Sequence, residues 1–230
     1  MLWLILLTAT AAPPETISTL LTEVSAANAS LQDATYTVER SEWVGGRQLP
    51  PQTIAVRYRR PEALWLQWVD AVYPGRKLLY QKGWNGGQLR VRPSSYLPLL
   101  NLSPTGMIAM RDSRHPVWMI SLSRIVDKVL GVTALLAQRP ELVAEYTDEG
   151  TQRAGGTDSR CYRVTLPYER EPALYAPQVR VCVGLDSRLP TRFSAWKNED
   201  GAIRQVEDYV FQDLVVNPGL TDADFDPGAL

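Results

Sequence analysis

The sequence has few of the side chains on which metal binding and acid–base catalysis most often depend. It holds one histidine, His115, and two cysteines in 230 residues. Two cysteines without CxxC spacing and a single histidine do not form a convincing zinc site. The chain also lacks a G-x-S-x-G elbow and a glycine-rich phosphate loop, which are signatures of common hydrolases and nucleotide-binding proteins. We therefore expect no metal and no cofactor.

The chain has no large excess of charge of either sign. Its formal net charge is −1, from 24 Lys and Arg against 25 Asp and Glu, which argues against a nucleic-acid-binding protein. The distribution is uneven, because residues 40–92 contain ten basic side chains and three acidic ones. Such an excess is typical of a solvated outer face or of a basic edge that meets an anionic surface.

No run of apolar residues is long enough to span a membrane of about 30 Å. Leu2–Leu7 is a short apolar run, and Ala9–Ala11 after it fits the small-residue pattern of a signal-peptidase site. No Lys or Arg precedes this run, so the alternatives are a true start a few codons upstream or a frayed hydrophobic N-terminus. We expect a signal peptide over residues 1–11 and a single domain over 12–230.

Both cysteines lie in segments that alternate as strands do. Cys161 belongs to "CYRVTL" and Cys182 to "QVRVCVGL", each on the more polar face. Antiparallel pairing with Cys161 opposite Cys182 would form a disulfide, which an exported protein can keep. The same register sets Arg163 opposite Arg180, a like-charge pair that opposes this arrangement. We expect the disulfide; the alternative is two separate small hydrophobic residues.

Hydrophobic periodicity divides the chain into a helix, strands, a second helix and further strands. Residues 15–31 have apolar side chains at helical spacing, and alternating segments follow. Asn85–Gly87 predicts a hairpin, and Pro116 fits the first position of the mid-chain helix. Short turns favour an antiparallel meander against which both helices bury their apolar faces. We expect an α+β fold, with a strongly curved antiparallel sheet of about nine strands and both helices in its concave face.

The mid-chain helix carries a long apolar stripe. Its members, at spacings of four and three, are Trp118, Leu122, Ile125, Val129, Val132 and Leu136. A stripe of this length packs on the sheet or lines a space between helix and sheet. Trp65 and Trp68 fall on opposite faces of one strand, so only one of them points inward. Such large side chains either fill a solid core or line an apolar cavity.

The segment "RDSRHPVW", residues 111–118, brings Asp112, Ser113 and His115 together in sequence. A Ser-His-Asp mechanism needs the histidine in contact with both partners, which neighbours on one loop rarely achieve. The favoured interpretation is that one of these three residues caps the helix that Pro116 begins. Catalysis by His115 is kept as a distant alternative.

This layout resembles the bacterial lipoprotein-carrier superfamily, which has the LolA/LolB-like fold. The matching elements are the leader, the helix at 15–31, the strands on both sides and the mid-chain helix. The tail "LTDADFDPGAL" and "RHP" before the mid-chain helix more narrowly resemble an exported bacterial family, domain of unknown function 1571. The resemblance implies an unclosed β-barrel in the periplasm or cell envelope of a bacterium, with acyl chains held in an apolar cavity.

Two functions from different classes follow. The first is a non-catalytic carrier or sensor that binds a lipid or a lipidated protein between sheet and helices. Its candidate lining residues are Leu66, Trp68, Trp118, Leu122, Ile125 and Val129. Arg111 and Arg114 are candidates for binding an anion at the positive end of the mid-chain helix. The second is a solid envelope scaffold whose partner is another protein, and peripheral contact with a membrane is compatible with both. A carrier needs an apolar void on the order of a few hundred Å³.

Overall fold

The computed structural model describes residues 16–230, and within this range the chain forms three α-helices and twelve strands. The helices are α1 (Ile17–Ser30), α2 (Met107–Met110) and α3 (Leu122–Gln138). The strands are β1 (Asp33–Val44), β2 (Arg47–Gln48), β3 (Gln52–Arg59), β4 (Ala63–Trp68), β5 (Lys77–Gln81), β6 (Leu89–Arg92), β7 (Leu100–Leu102), β8 (Glu145–Ala154), β9 (Thr157–Thr165), β10 (Gln178–Gly184), β11 (Pro190–Glu199) and β12 (Ala202–Val216). None of the helices in this range is long and apolar enough to cross a membrane. The predicted signal peptide, residues 1–11, lies outside the described residues.

The strands of the described chain form one open antiparallel sheet in the order β7-β6-β5-β4-β3-β1-β12-β11-β10-β9-β8, with β2 paired to the end of β1. The long strands β1 and β12 join two meanders at the middle of the sheet. The predicted α+β class with an unclosed antiparallel barrel is confirmed. The sheet has twelve strands rather than about nine, because β2 and β7 have only two and three residues and are too short to show alternation.

Helices α1 and α3 cover the second meander from its concave side. Leu20 and Val24 of α1 are buried against Val126 of α3 and against side chains of β9 and β10. Arg60, directly after β3, fixes the C-terminal end of α1, because its Nε donates to the Leu31 carbonyl at 2.5 Å. A cation there also meets the negative end of the helix dipole. Both ends of α1 are thus tied to the domain.

The mid-chain helix starts later than predicted. Pro116 precedes a 3₁₀ turn over residues 117–120, and α3 begins at Leu122. Its cap is Ser121, whose Oγ accepts from the Arg124 amide at 3.4 Å, so the predicted capping by Asp112, Ser113 or His115 is wrong. Trp118 and Leu122 both contact the main core. The apolar spacing therefore continues from the 3₁₀ turn into α3, and the sequence pattern does not show that the two are separate elements.

A disulfide joins Cys161 of β9 to Cys182 of β10, which lie opposite each other in antiparallel register. The same register sets Arg163 opposite Arg180, as predicted. Glu149 of β8 removes the expected repulsion, because its carboxylate accepts from Arg163 at 2.8 Å and from Arg180 at 2.6 Å. A third strand thus supplies the counter-charge that the pair of strands lacks.

Candidate functional site

Two cavities lie between the concave face of the sheet and the segments that cover it. Cavity 1, of about 90 Å³, lies between α1, α3 and strands β9 to β11. Cavity 2, of about 220 Å³, lies between residues 93–120 and strands β3 to β7. The two cavities share no lining residue. Each half of the sheet therefore has its own candidate site.

Cavity 1 is lined almost entirely by apolar side chains. The two helices contribute Ile17, Leu20, Leu21, Val24, Val126, Val129 and Val132. The sheet faces them with Tyr162, Val164, Val179, Val181, Val183 and Phe193. Helical and strand periodicity place these residues on facing surfaces. Within residues 16–230, Lys128 is the one charged side chain in the lining, and Tyr146, also in the lining, is 45% exposed.

Cavity 2 combines an apolar floor with a polar side. Its floor is made by inward-facing residues of β3 to β7, namely Ile54, Leu66, Leu78, Leu89, Val91 and Leu102. Its polar side contains Arg40, Arg76, Arg111, Asp112, Ser113, His115 and Tyr209. Three arginines against one acid give this cavity a positive lining, in contrast to cavity 1.

A buried group of polar side chains, the polar wall, lies between the two cavities. We define it as His115, which lines cavity 2, Tyr175 and Lys128, which line cavity 1, and Glu207 of β12. His115 Nε2 lies 2.7 Å from Glu207 Oε2 and 3.0 Å from the Tyr175 hydroxyl. Because a carboxylate only accepts, Nε2 donates to Glu207. The Lys128 ammonium lies 3.2 Å from the centroid of the Tyr175 ring.

The charges of the polar wall depend on one another. Burial opposes ionisation of Glu207, but the hydrogen bond from His115 and the Lys128 charge together hold the pKa of Glu207 below its usual range. Burial lowers the pKa of Lys128 to about 8, because the attraction of Glu207 offsets desolvation only in part. Burial and the Glu207 charge raise the pKa of Tyr175. The wall thus holds an ionised carboxylate next to a weakened cation.

A second buried carboxylate lies beside the first. Glu42 of β1 is directly opposite Glu207 in the sheet. It accepts from the Tyr209 hydroxyl and from the Arg114 amide, the latter at 3.3 Å, and Arg40 lies 3.8 Å away. Separate donors for the two carboxylates reduce their repulsion. They also hold the segment around Arg114 against the sheet.

The structure places the sequence-predicted cavity residues in different parts of the concave face. Leu66 and Trp68 line cavity 2, and Val129 lines cavity 1. Trp65 points to the opposite face of β4, where it packs against Phe225 of the C-terminal tail. One tryptophan of this strand is therefore inward and the other outward, as alternation requires.

The remaining three candidates line neither cavity. Leu122 and Ile125 are buried in the main core. Trp118 packs against Tyr80, with ring centroids 5.6 Å apart. The first turn of α3 is therefore solid packing, and the helix lines cavity 1 from Val126 onward.

The two arginines predicted to bind an anion do not flank the start of α3. Arg114 pairs with Glu199 at 3.1 Å and donates to the Trp43 carbonyl at 2.5 Å. Arg111 is 74% exposed and lines the rim of cavity 2. Arg114 thus has its counter-charge within the fold, whereas Arg111 belongs to a different site from the one predicted.

The structure does not bring Asp112 and Ser113 onto the His115 ring. Ser113 Oγ donates to the His115 carbonyl at 2.9 Å, and Asp112 pairs with Arg47 at 3.7 Å. The ring itself contacts Glu207 and Tyr175, as described above. The three neighbours in sequence therefore form no Ser-His-Asp arrangement.

Sequence reasoning missed the polar wall around His115. One signal was available, since Glu207 alternates with Tyr209 and Phe211 in β12 and must share their inward face. Lys128 lies off the apolar stripe, and nothing in its local sequence indicates a buried position. Tyr175 follows a 3₁₀ turn, where no periodicity applies.

An open antiparallel sheet with helices packed on its concave face defines an unclosed-barrel α+β fold. The chain belongs to the family described as protein of unknown function (DUF1571), whose model matches residues 31–229. This match confirms the narrower resemblance drawn from the sequence. A comparison with curated protein sequences found no match.

Solved structures share this fold at low sequence identity. The lipoprotein LppX from Mycobacterium tuberculosis is 18% identical, with a TM-score of 0.52 over 92% of this chain and 100% of that one. A LolA superfamily protein from Nitrosomonas europaea is 13% identical, with a TM-score of 0.38 over 94% and 100%. The MucA/MucB complex from Pseudomonas aeruginosa matches at 15% identity and a TM-score of 0.45, over 92% and 61%. At 18% identity the likeness to LppX concerns the fold alone.

Proposed function

We propose that this protein is a non-catalytic exported protein that binds the acyl chain of a lipid or of a lipidated protein in cavity 1. The observation that carries the proposal is the apolar lining of cavity 1, in which Lys128 is the one charged side chain among the described residues. An apolar slot between two helices and a sheet is complementary to a hydrocarbon chain and offers little to a polar ligand. At about 90 Å³ the slot is smaller than the void on the order of a few hundred Å³ expected of a carrier, so it accepts only part of an acyl chain unless α3 moves away from the sheet. The periplasm or cell envelope is the compartment that this role implies.

The packing of α3 supports a ligand site beyond its first turn. Leu122 and Ile125 are buried, whereas Val129 and Val132 are only half-buried beside cavity 1. The helix is therefore anchored by its first turns, and its later turns have apolar surface that protein atoms do not fully cover. A chain of methylene groups would gain roughly 0.8 kcal/mol for each one buried there.

Titration with the fluorescent fatty acid cis-parinaric acid tests the proposal. Val132→Phe adds a ring to the wall of cavity 1 and is expected to weaken binding at least tenfold. Ala134→Phe makes a comparable addition on the exposed face of the same helix and is expected to bind within twofold of the wild type. Absence of binding by the wild type, or equal binding by both variants, would contradict the proposal.

A second function, interaction with an envelope protein, is favoured by the apolar side chains exposed on residues 93–110. Tyr96 is 96% exposed, Met107 89% and Ile108 68%. Exposed large side chains in one segment are typical of contact surfaces for proteins or membranes. If the wild type fails to bind the fatty acid while this surface proves essential in cells, the scaffold function replaces the carrier.

A further inference from the structure

Cavity 2 contains an arginine that forms no direct ion pair with a carboxylate of the described residues. Arg76 lines the cavity, and among residues 16–230 no carboxylate lies within ion-pair distance of its guanidinium. Burial lowers the pKa of Arg76, although the side chain stays charged at neutral pH. A half-buried cation without a carboxylate partner is uncommon unless another group compensates it.

Aromatic rings hold the Arg76 guanidinium in a fixed orientation. Its central carbon lies 3.5 Å from the centroid of the Tyr73 ring and 5.3 Å from that of Trp68. A hydrogen bond to Tyr73 engages part of the guanidinium edge, and stacking on the ring leaves the other N–H groups at that edge available. These edge donors match the two oxygens of a carboxylate or a phosphate.

The other charges of the cavity are already engaged. Arg40 donates to Gln52 at 2.9 Å and to Ser113 at 3.2 Å. Asp112, the one acid in the lining, accepts from Arg111 at 3.5 Å. Asp112 thus serves several cations and attracts Arg76 only from a distance. Arg40 and Arg111 each have a carboxylate within ion-pair distance, whereas Arg76 has none among the described residues.

The rest of the cavity is shaped for an apolar body. Leu66, Leu89 and Val91 form its floor, and Leu100 and Ile108 at its edge are 38% and 68% exposed. A ligand with its anion on Arg76 would extend along this floor toward the exposed edge. A purely polar anion would leave these walls unused.

We propose that cavity 2 binds an amphipathic anion, with a carboxylate or phosphate held by the edge donors of Arg76 and a short apolar chain against Leu66 and Leu89. This site does not depend on lipid binding in cavity 1, because the two cavities share no lining residue. The ligand differs in kind as well, since cavity 2 recognises a charged end and cavity 1 offers apolar walls.

Calorimetric titration with octyl phosphate, octanoate and octanol tests this site. The wild type is expected to bind one of the two anions at least tenfold more tightly than octanol, and the tighter anion identifies the head group. Arg76→Gln is expected to weaken that binding at least tenfold. Arg92→Gln, on the opposite face of β6 from Val91, removes the same charge outside the cavity and is expected to change binding less than twofold.

Further variants separate this site from a structural role of Arg76 and from cavity 1. Ala109→Phe fills part of cavity 2 without changing its charge and is expected to weaken anion binding even if the Arg76 variant does not fold. Val132→Phe, in cavity 1, is expected to leave it unchanged. Equal binding of octanol and both anions, or equal loss of binding in the Arg76 and Arg92 variants, would overturn the proposal.

Discussion

Replacing Lys128 by methionine is expected to stabilise the protein at neutral pH. The fold lowers the pKa of Lys128 from 10.5 to about 8, which corresponds to about 3 kcal/mol against the charged form in the folded state. The contact of the ammonium with the Tyr175 ring returns about 1–2 kcal/mol of this. We therefore expect the Lys128→Met variant to be more stable than the wild type by about 1–2 kcal/mol at pH 7.

The pH dependence of this difference follows from the direction of the shift. Below pH 8 the side chain is charged in both folded and unfolded chains, so the wild type bears the full penalty. Between about pH 8 and 10.5 the folded chain has lost the proton while the unfolded chain still binds it. The wild type gains stability over this range, by about 1.4 kcal/mol per pH unit at most. The advantage of the variant must therefore shrink as the pH rises.

Urea unfolding of wild type and variant at pH 7, 8, 9 and 10 measures the effect. Other alkaline titrations cancel in the difference between the two proteins. Exposed Lys82 provides the control, since Lys82→Met is expected to change stability by less than about 0.5 kcal/mol at every pH. The reasoning is refuted if Lys128→Met is less stable than the wild type at pH 7, or if the difference does not vary with pH.

Three further changes test the fold. Replacing Cys161 and Cys182 by serine opens a link over a sequence separation of 21 residues and is expected to lower the urea-derived unfolding free energy by about 3 kcal/mol; an unchanged value would contradict this. His115→Asn leaves a buried carboxylate without its donor and is expected to cost about 2–3 kcal/mol, whereas a loss below about 1 kcal/mol would indicate a surface residue. Gly155→Ala puts a Cβ 1.8 Å from a carbonyl oxygen of β12 and is expected to lower the melting temperature far more than Gly156→Ala, where the space is open.

The architecture could be predicted because alternation and turn residues are local signals. The hairpin at Asn85–Gly87 and the register of Cys161 against Cys182 both follow from short stretches of sequence. The start of α3 could not be predicted in this way. The 3₁₀ turn before Ser121 lets Trp118 pack against the same core as Leu122, so the apolar pattern shows no interruption. Apolar spacing reports which side a residue faces, not whether the backbone hydrogen bonds are continuous.

The candidate site was harder to predict, because it is assembled from residues far apart in the chain. His115 was recognised, but its partners Tyr175 and Glu207 lie 60 and 92 positions away. Ile125 and Val129 share one stripe, yet one is in solid packing and the other lines a cavity. The difference arises from where the sheet curves away from the helix, and a single sequence contains no direct signal of that.

Native mass spectrometry of the protein purified from the envelope of its own host tests the central claim most directly. The account predicts a species with the mass of the polypeptide plus one lipid, whose abundance falls sharply in Val132→Phe and is unchanged in Ala134→Phe. Polypeptide without lipid in the wild type as well as in both variants would contradict acyl-chain binding in cavity 1.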